Sequence, residues 1–139
     1  MLADMFGSLA PSEANEVRLA EGGKLEVRLK FGPETDALLA RGRERLMSIL
    51  SDAGAQPKVA DWRVEKPGTS VHYGGTVRMH HSPEHGVLNE WNRPFEVPNL
   101  VVADASCFTT NSEKNPTLTA MALSCRAADR LAADLKAGE

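Results

Sequence analysis

Asn115-Pro116-Thr117-Leu118-Thr119-Ala120-Met121-Ala122-Leu123 opens the last long periodic segment of the chain, and the fold is read outward from it. Asparagine is favoured immediately before a helix, and proline suits the first helical position because its missing N–H would have had no intrahelical partner there. The pattern predicts a helix with Asn115 as its cap and Pro116 as its first residue. Leu118, Met121, Ala122, Cys125, Ala128, Ala132 and Leu135 recur at helical spacing and predict the inward face, while Arg126, Asp129, Arg130, Asp134 and Lys136 gather opposite. Gly138 is the expected stop. The leading N–H groups and positive dipole end of such a helix suit it to hold negative charge.

Upstream, Asn99-Leu100-Val101-Val102-Ala103 is a short apolar run ended by Asp104, and it predicts a strand buried on both faces. Ligands of open α/β sheets bind at the carboxyl ends of such strands, where Asp104-Ala105-Ser106 falls. Ser70 to Met79 contains the pair Gly74-Gly75, where backbone can approach a neighbour closely. The next twenty residues, rich in Pro, Asn and His, read as a long loop.

The first half has the simpler pattern. From Lys24 to Phe31 apolar and charged residues alternate strictly, predicting a half-buried strand. Glu16-Val17-Arg18-Leu19 predicts its hairpin partner, with the turn at Glu21-Gly22-Gly23. Gly32-Pro33 then breaks the pattern, and an amphipathic helix is expected from about Glu34 to Ala53, closed by Gly54. A short strand around Trp62 and Val64 is expected between Pro57 and Pro67, and residues 1–14 read as a connector.

Composition excludes several classes. The chain has 139 residues, 42% hydrophobic and 25% charged, as expected of one ordinary globular domain. Its net charge of −3 and its scattered Lys and Arg residues argue against a nucleic-acid surface. No apolar run approaches the roughly 20 residues of a membrane span. No secretory leader is visible either, so a cytoplasmic chain or a fragment is expected. Cys107 and Cys125 form no metal-binding spacing, and Cys107 reads as a small apolar filler.

His72 is the histidine beside the glycine pair, and a neutral imidazole is a suitable acceptor for a hydroxyl proton. His80, His81 and His85 form an H-H-x3-H cluster with the residue types of a metal site, but their loop has no matched partner elsewhere, so no metal site is assigned. The plain alternative for Asn115-Pro116 is an ordinary helix cap. Tyr73 reads equally well as pocket lining or packing.

His72-Tyr73-Gly74-Gly75-Thr76 with Arg78-Met79, then Val87-Leu88-Asn89, then Pro98-Asn99-Leu100 to Ala103-Asp104-Ala105-Ser106, then Asn115 to Leu123 resembles, in order and spacing, the C-terminal domain of the glucose-methanol-choline (GMC) oxidoreductases. The resemblance is strongest from Ser70 to Ala132, and its wording is most similar to the pyranose oxidase and gluconate or sorbitol dehydrogenase branch. It implies residues 15–139 as that domain and an α+β (α/β) fold. An antiparallel substrate-side sheet with a packing helix would stand beside a strand and a long C-terminal helix that complete an FAD-binding domain.

The resemblance also implies roles. In such enzymes FAD takes a hydride from an alcohol, polyol or sugar. His72 falls on the catalytic base and Asn115 on its partner at the same oxygen. Asp104 and Ala105 fall where the domain approaches the FAD chain, and Asn115, Pro116 and Thr117 where the helix start meets the flavin. His80 departs from the family, which commonly has glycine after Arg-Met. No Gly-x-Gly-x-x-Gly turn for the ADP half occurs in the sequence. The expected partner is therefore a missing Rossmann half or a second copy of the chain, and the rival reading is an orphaned, non-catalytic domain serving as a binding or structural module.

Overall fold

The computed structural model describes residue 3 and residues 5–58, 65–66 and 68–138. The expected strand around Trp62 and Val64 lies outside these. The described chain forms two compact units, one of residues 1–9 and 13–71 and one of residues 10–12 and 72–139. Among the described residues two α-helices and a two-stranded antiparallel sheet make an α+β architecture.

In the first unit, β1 (Glu16–Leu19) pairs with β2 (Leu25–Arg28), with Val17 opposite Val27 and Leu19 opposite Leu25. Gly22 (φ 73°) and Gly23 (φ 76°) take the left-handed conformations that the tight connection between them requires. Glu16, Arg18, Glu26 and Arg28 share the other face, where Arg18 lies 2.7 Å from Glu26 and Arg28 lies 3.2 Å from Glu16. The strand predicted from Lys24 to Phe31 is therefore shorter, and it is not half-buried: Leu25 is 75% and Val27 68% exposed. A hairpin of this length cannot bury its own apolar face, which needs a further layer laid over it.

Helix α1 (Pro33–Asp52) begins with proline at its first position after Gly32 and ends where Gly54 (φ 79°) turns left-handed, as its sequence signals require. Leu38, Leu39, Leu46 and Leu50 lie on its half-buried side. Met5 lies over Gly42, at a point where any side chain on residue 42 would meet it.

The second unit is organised around Leu88, Cys107 and Phe108, with Val77, Met79, Val102, Ala105, Ala120 and Leu123 packed against them. Helix α2 (Thr117–Ala137) ends at Gly138 (φ 81°), whose N–H bonds to the Asp134 and Leu135 carbonyls. Its start and its buried face both differ from expectation. Pro116 (φ −82°, ψ −14°), not Asn115, is the capping residue, and no side chain caps the helix. The predicted boundary is thus displaced by one residue, because Pro116 already accepts the Ala120 N–H at 2.9 Å through its carbonyl.

The packed face of α2 carries Ala120, Leu123, Ala127 and Asp134, whereas Leu118 (79%), Met121 (59%) and Leu135 (68%) are exposed. The helix is apolar on two sides, and the small residues of the other side allow the close approach that the core uses. Asp134 belongs to the expected polar face but is buried, because Arg93 (2.6 Å) and Arg130 (2.7 Å) enclose it. Arg126 and Arg130 also lie over the Trp91 ring, at 6.0 and 5.4 Å from its centroid.

Residues 99–103 form no strand. They pair with no ladder; instead the Val102 N–H donates to the Asn92 carbonyl (2.9 Å) and the Asn92 amide donates to the Val102 carbonyl (2.8 Å). Leu100 is 48% exposed, so the segment is not buried on both faces. Asn92 makes this exchange in a left-handed conformation (φ 60°) that asparagine tolerates better than most residues. The predicted long loop is pinned inside by bridges from Leu88 to Met79 and to Pro94.

Candidate active site

A backbone seam brings two of the motifs together. The N–H groups of Gly75, Val77 and Met79 donate to the carbonyls of Ala105, Ser106 and Cys107 at 3.1, 3.0 and 3.0 Å. Gly75 enters the seam at φ 79°, and Gly74 lies so close to the neighbouring loop that a Cβ there would stand 2.8 Å from the Ala105 carbonyl oxygen. This explains the glycine pair: the first admits the neighbour and the second makes the turn. The half-buried His72 stands at the head of this turn, and its carbonyl accepts the Asn111 side-chain amide at 3.2 Å.

On the other strand of the seam, Asp104 opens a single 3-10 turn, Ala105–Cys107, and its Oδ1 accepts the Ser106 N–H at 2.7 Å. Hydrogen bonds from the Ser106 hydroxyl and then its backbone N–H hold the Asp104 carboxyl below its ordinary value. Burial pushes the Cys107 thiol up, and the Asp104 charge adds to that, so this cysteine is an inert core residue. That agrees with its reading as a filler.

Asn115 and Pro116 line a surface cavity of about 300 Å³ together with Met79, Phe108, Thr110, Lys114 and Thr119. Since no side chain caps α2, its leading N–H groups lack intrahelical partners at this cavity's edge. Asn115 is exposed and does not cap, which leaves its amide available to a ligand. Thr117, the first residue of α2, is exposed but is not part of the lining, and neither is His72. The seam therefore ties the turn that begins at His72 to Ala105 through Gly75, and Asn115 shares its cavity with Pro116 but not with His72. Asn111, four positions before Asn115, bridges from the α2 approach to the His72 turn.

Sequence reasoning passed over Asn111 because it sits in the polar run Thr109-Thr110-Asn111-Ser112, which looks like any solvated loop. Tyr73, left open between pocket and packing, is 66% exposed and lies outside the cavity lining. The ring of His80 stands 6.0 Å from His81 and 5.2 Å from His85, yet no metal-binding group forms among the described residues. His80 keeps a negative φ, and the room for it comes from Gly86, where a Cβ would stand 2.5 Å from the His80 Cβ. Among the described residues no helix is long and apolar enough to cross a membrane.

The GMC oxidoreductase family model matches residues 11–124. The chain is 37% identical over 136 residues to the 2-methyl-1,2-propanediol dehydrogenase of Mycolicibacterium austroafricanum, covering 93% of this chain and 24% of that protein. It is 36% identical over 112 residues to the C-glycoside 3-oxidase of Arthrobacter globiformis, covering 80% and 21%. With the fructose dehydrogenase large subunit of Gluconobacter japonicus the identity is 34% over 113 residues, covering 81% and 20%. The chain thus spans about a quarter or less of the length of the curated relatives it matches. A match over most of the chain, including the seam and the start of α2, means that it belongs to the GMC oxidoreductase family.

Proposed function

We propose that residues 15–139 are the C-terminal, substrate-side domain of an FAD-dependent oxidoreductase that oxidises the CH–OH group of a small alcohol, polyol or sugar. The names of the relatives, which cover a diol, a C-glycoside and a ketose, support that substrate class. The observation that carries the reading is Asn115: an amide released from helix capping, exposed at a cavity beside the uncapped start of α2.

Bound FAD supplies the hydride acceptor for such an oxidation. The fit of this chain to it is partial but coherent. Pro116, Thr117 and the leading N–H groups of α2 would hold the flavin end, favouring negative charge there through the helix dipole. Asp104 and Ala105 would meet the chain of the cofactor, while nothing in the sequence supplies a glycine turn for its pyrophosphate. His72 accepts the hydroxyl proton of the substrate, and Asn115 donates a hydrogen bond to the same oxygen. The ADP half is then held by a Rossmann-bearing partner segment.

Stopped-flow reduction of flavin in a complete enzyme containing this segment tests the reading. His72→Ala is expected to slow the reductive half-reaction by roughly 10²-fold or more. An unchanged rate removes His72 as the base.

A second reading, a non-catalytic domain that binds through its apolar surfaces, is favoured by one observation, the exposed side of α2 carrying Leu118, Met121 and Leu135. Absorbance near 450 nm after mixing the chain with FAD and a separate Rossmann-bearing partner separates the two, since the oxidoreductase reading requires bound flavin.

A further inference from the structure

We propose that Asn111 is a positioning residue for His72, an inference that rests on the reading of His72 as the base. The two residues lie 39 positions apart in sequence, and the Asn111 Nδ2 donates to the His72 carbonyl at 3.2 Å. The bond fixes the peptide plane that leaves His72, and so the torsion that sets where its Cα–Cβ bond points. Gly74 confirms that the fit is close on the other side of the amide. A Cβ at residue 74 would stand 2.9 Å from the Asn111 Oδ1 and 2.8 Å from the Ala105 carbonyl oxygen. The Asn111 amide and the Ala105 carbonyl thus both close on Gly74, two residues after the base.

The chemistry of the contact requires a donor. A backbone carbonyl is only an acceptor, so its partner must be a donor, and a carboxylate of the same shape would repel it. Asn111 also precedes Asn115 by four residues, so the same side chain ties the base to the segment that carries its proposed partner. A displacement of the turn by about 1 Å would be costly, since misplacement of that size can lower a rate by 10²-fold.

Nitrogen-edited NMR of the 139-residue chain, compared between wild type, Asn111→Ala and Asn111→Asp, reads the clamp without any activity. In both variants the amide signals of His72, Tyr73 and Gly75 are expected to shift, while those of Leu88 and Ala127 stay in place. Asn111→Asp keeps the size of the side chain while replacing the donor with a carboxylate that repels the carbonyl, so it reads the contact if the alanine variant is too unstable to study. In the complete flavoenzyme, both variants are expected to slow flavin reduction between about 10- and 100-fold, with KM for the alcohol changed less than about twofold. Unmoved His72 signals, a wild-type aspartate variant, or shifts that spread equally to Leu88 and Ala127 would each overturn the proposal. If His72→Ala leaves reduction unchanged while the Asn111 variants still displace the turn, the clamp stands and the base assignment falls.

Discussion

Arg93 and Asp134 meet at 2.6 Å, joining the loop after Leu88 to the last turns of α2, and Arg130 closes on the same carboxylate from one helical turn away. The carboxylate is 6% exposed, so its charge depends on these two partners rather than on water. Asp134→Ala leaves two guanidinium groups facing a hole, and is expected to destabilise the chain by on the order of 2 kcal/mol. A midpoint of thermal unfolding within one degree of wild type would show that the cluster contributes nothing net.

Asn115→Ala separates catalysis from capping. Because the Asn115 side chain caps nothing, its loss is expected to change stability by less than about 0.5 kcal/mol, as for an ordinary surface position. Flavin reduction in the complete enzyme is expected to fall nonetheless. A stability loss of about 1 kcal/mol, typical of a deleted cap, with no loss of rate would assign the residue to the helix instead.

Acid sensitivity should carry the signature of Asp104. Its carboxyl is held below its ordinary value by the Ser106 hydroxyl and N–H, so the folded chain prefers the ionised form. That contribution is present above the ordinary value of 3.8 and is lost as the pH falls through the lowered folded value. The stability difference between wild type and Asp104→Asn is therefore expected to be greatest above pH about 5 and to shrink toward the acid end. Denaturant midpoints measured across that range check it, and a difference that grows on acidification would refute it.

The exposed side of α2 should make the isolated chain self-associate. Leu118, Met121 and Leu135 form an uncovered apolar stripe of a kind that recruits partners. Sedimentation at micromolar concentration is expected to show dimers or larger species, and Leu118→Glu with Met121→Glu to shift them toward monomer. A wild-type chain that sediments only as a monomer would contradict this.

Local signals explain what was legible in the sequence. Helix α1 and the β1–β2 pairing were readable because each follows from spacing within one segment, with Pro33, Gly22, Gly23 and Gly54 as punctuation. Residues 99–103 were misread because an apolar run states only that burial or pairing is wanted, and the partner that arrives is a single left-handed asparagine. The face of α2 was misread for a related reason: large apolar residues mark one side, yet Ala120 and Ala127 pack because they are small. The motifs around His72 and Asn115 were visible as residue types in order. The tie through Asn111 was not, because a side-chain bond across 39 positions leaves no trace in periodicity.

The seam between residues 75–79 and 105–107 is made by main-chain atoms alone. Amino-acid replacement at Val77 by anything but proline, or at Ser106, can change what fills the space around it without removing a single one of those bonds. The alignment of the His72 turn with the Asp104 loop is thereby insulated from mutational drift, and a lineage can revise the chemistry of its pocket while the frame beneath keeps its dimensions. The glycine pair is the exception, since the first methyl group added at Gly74 would force the two segments apart and one at Gly75 would strain its left-handed backbone.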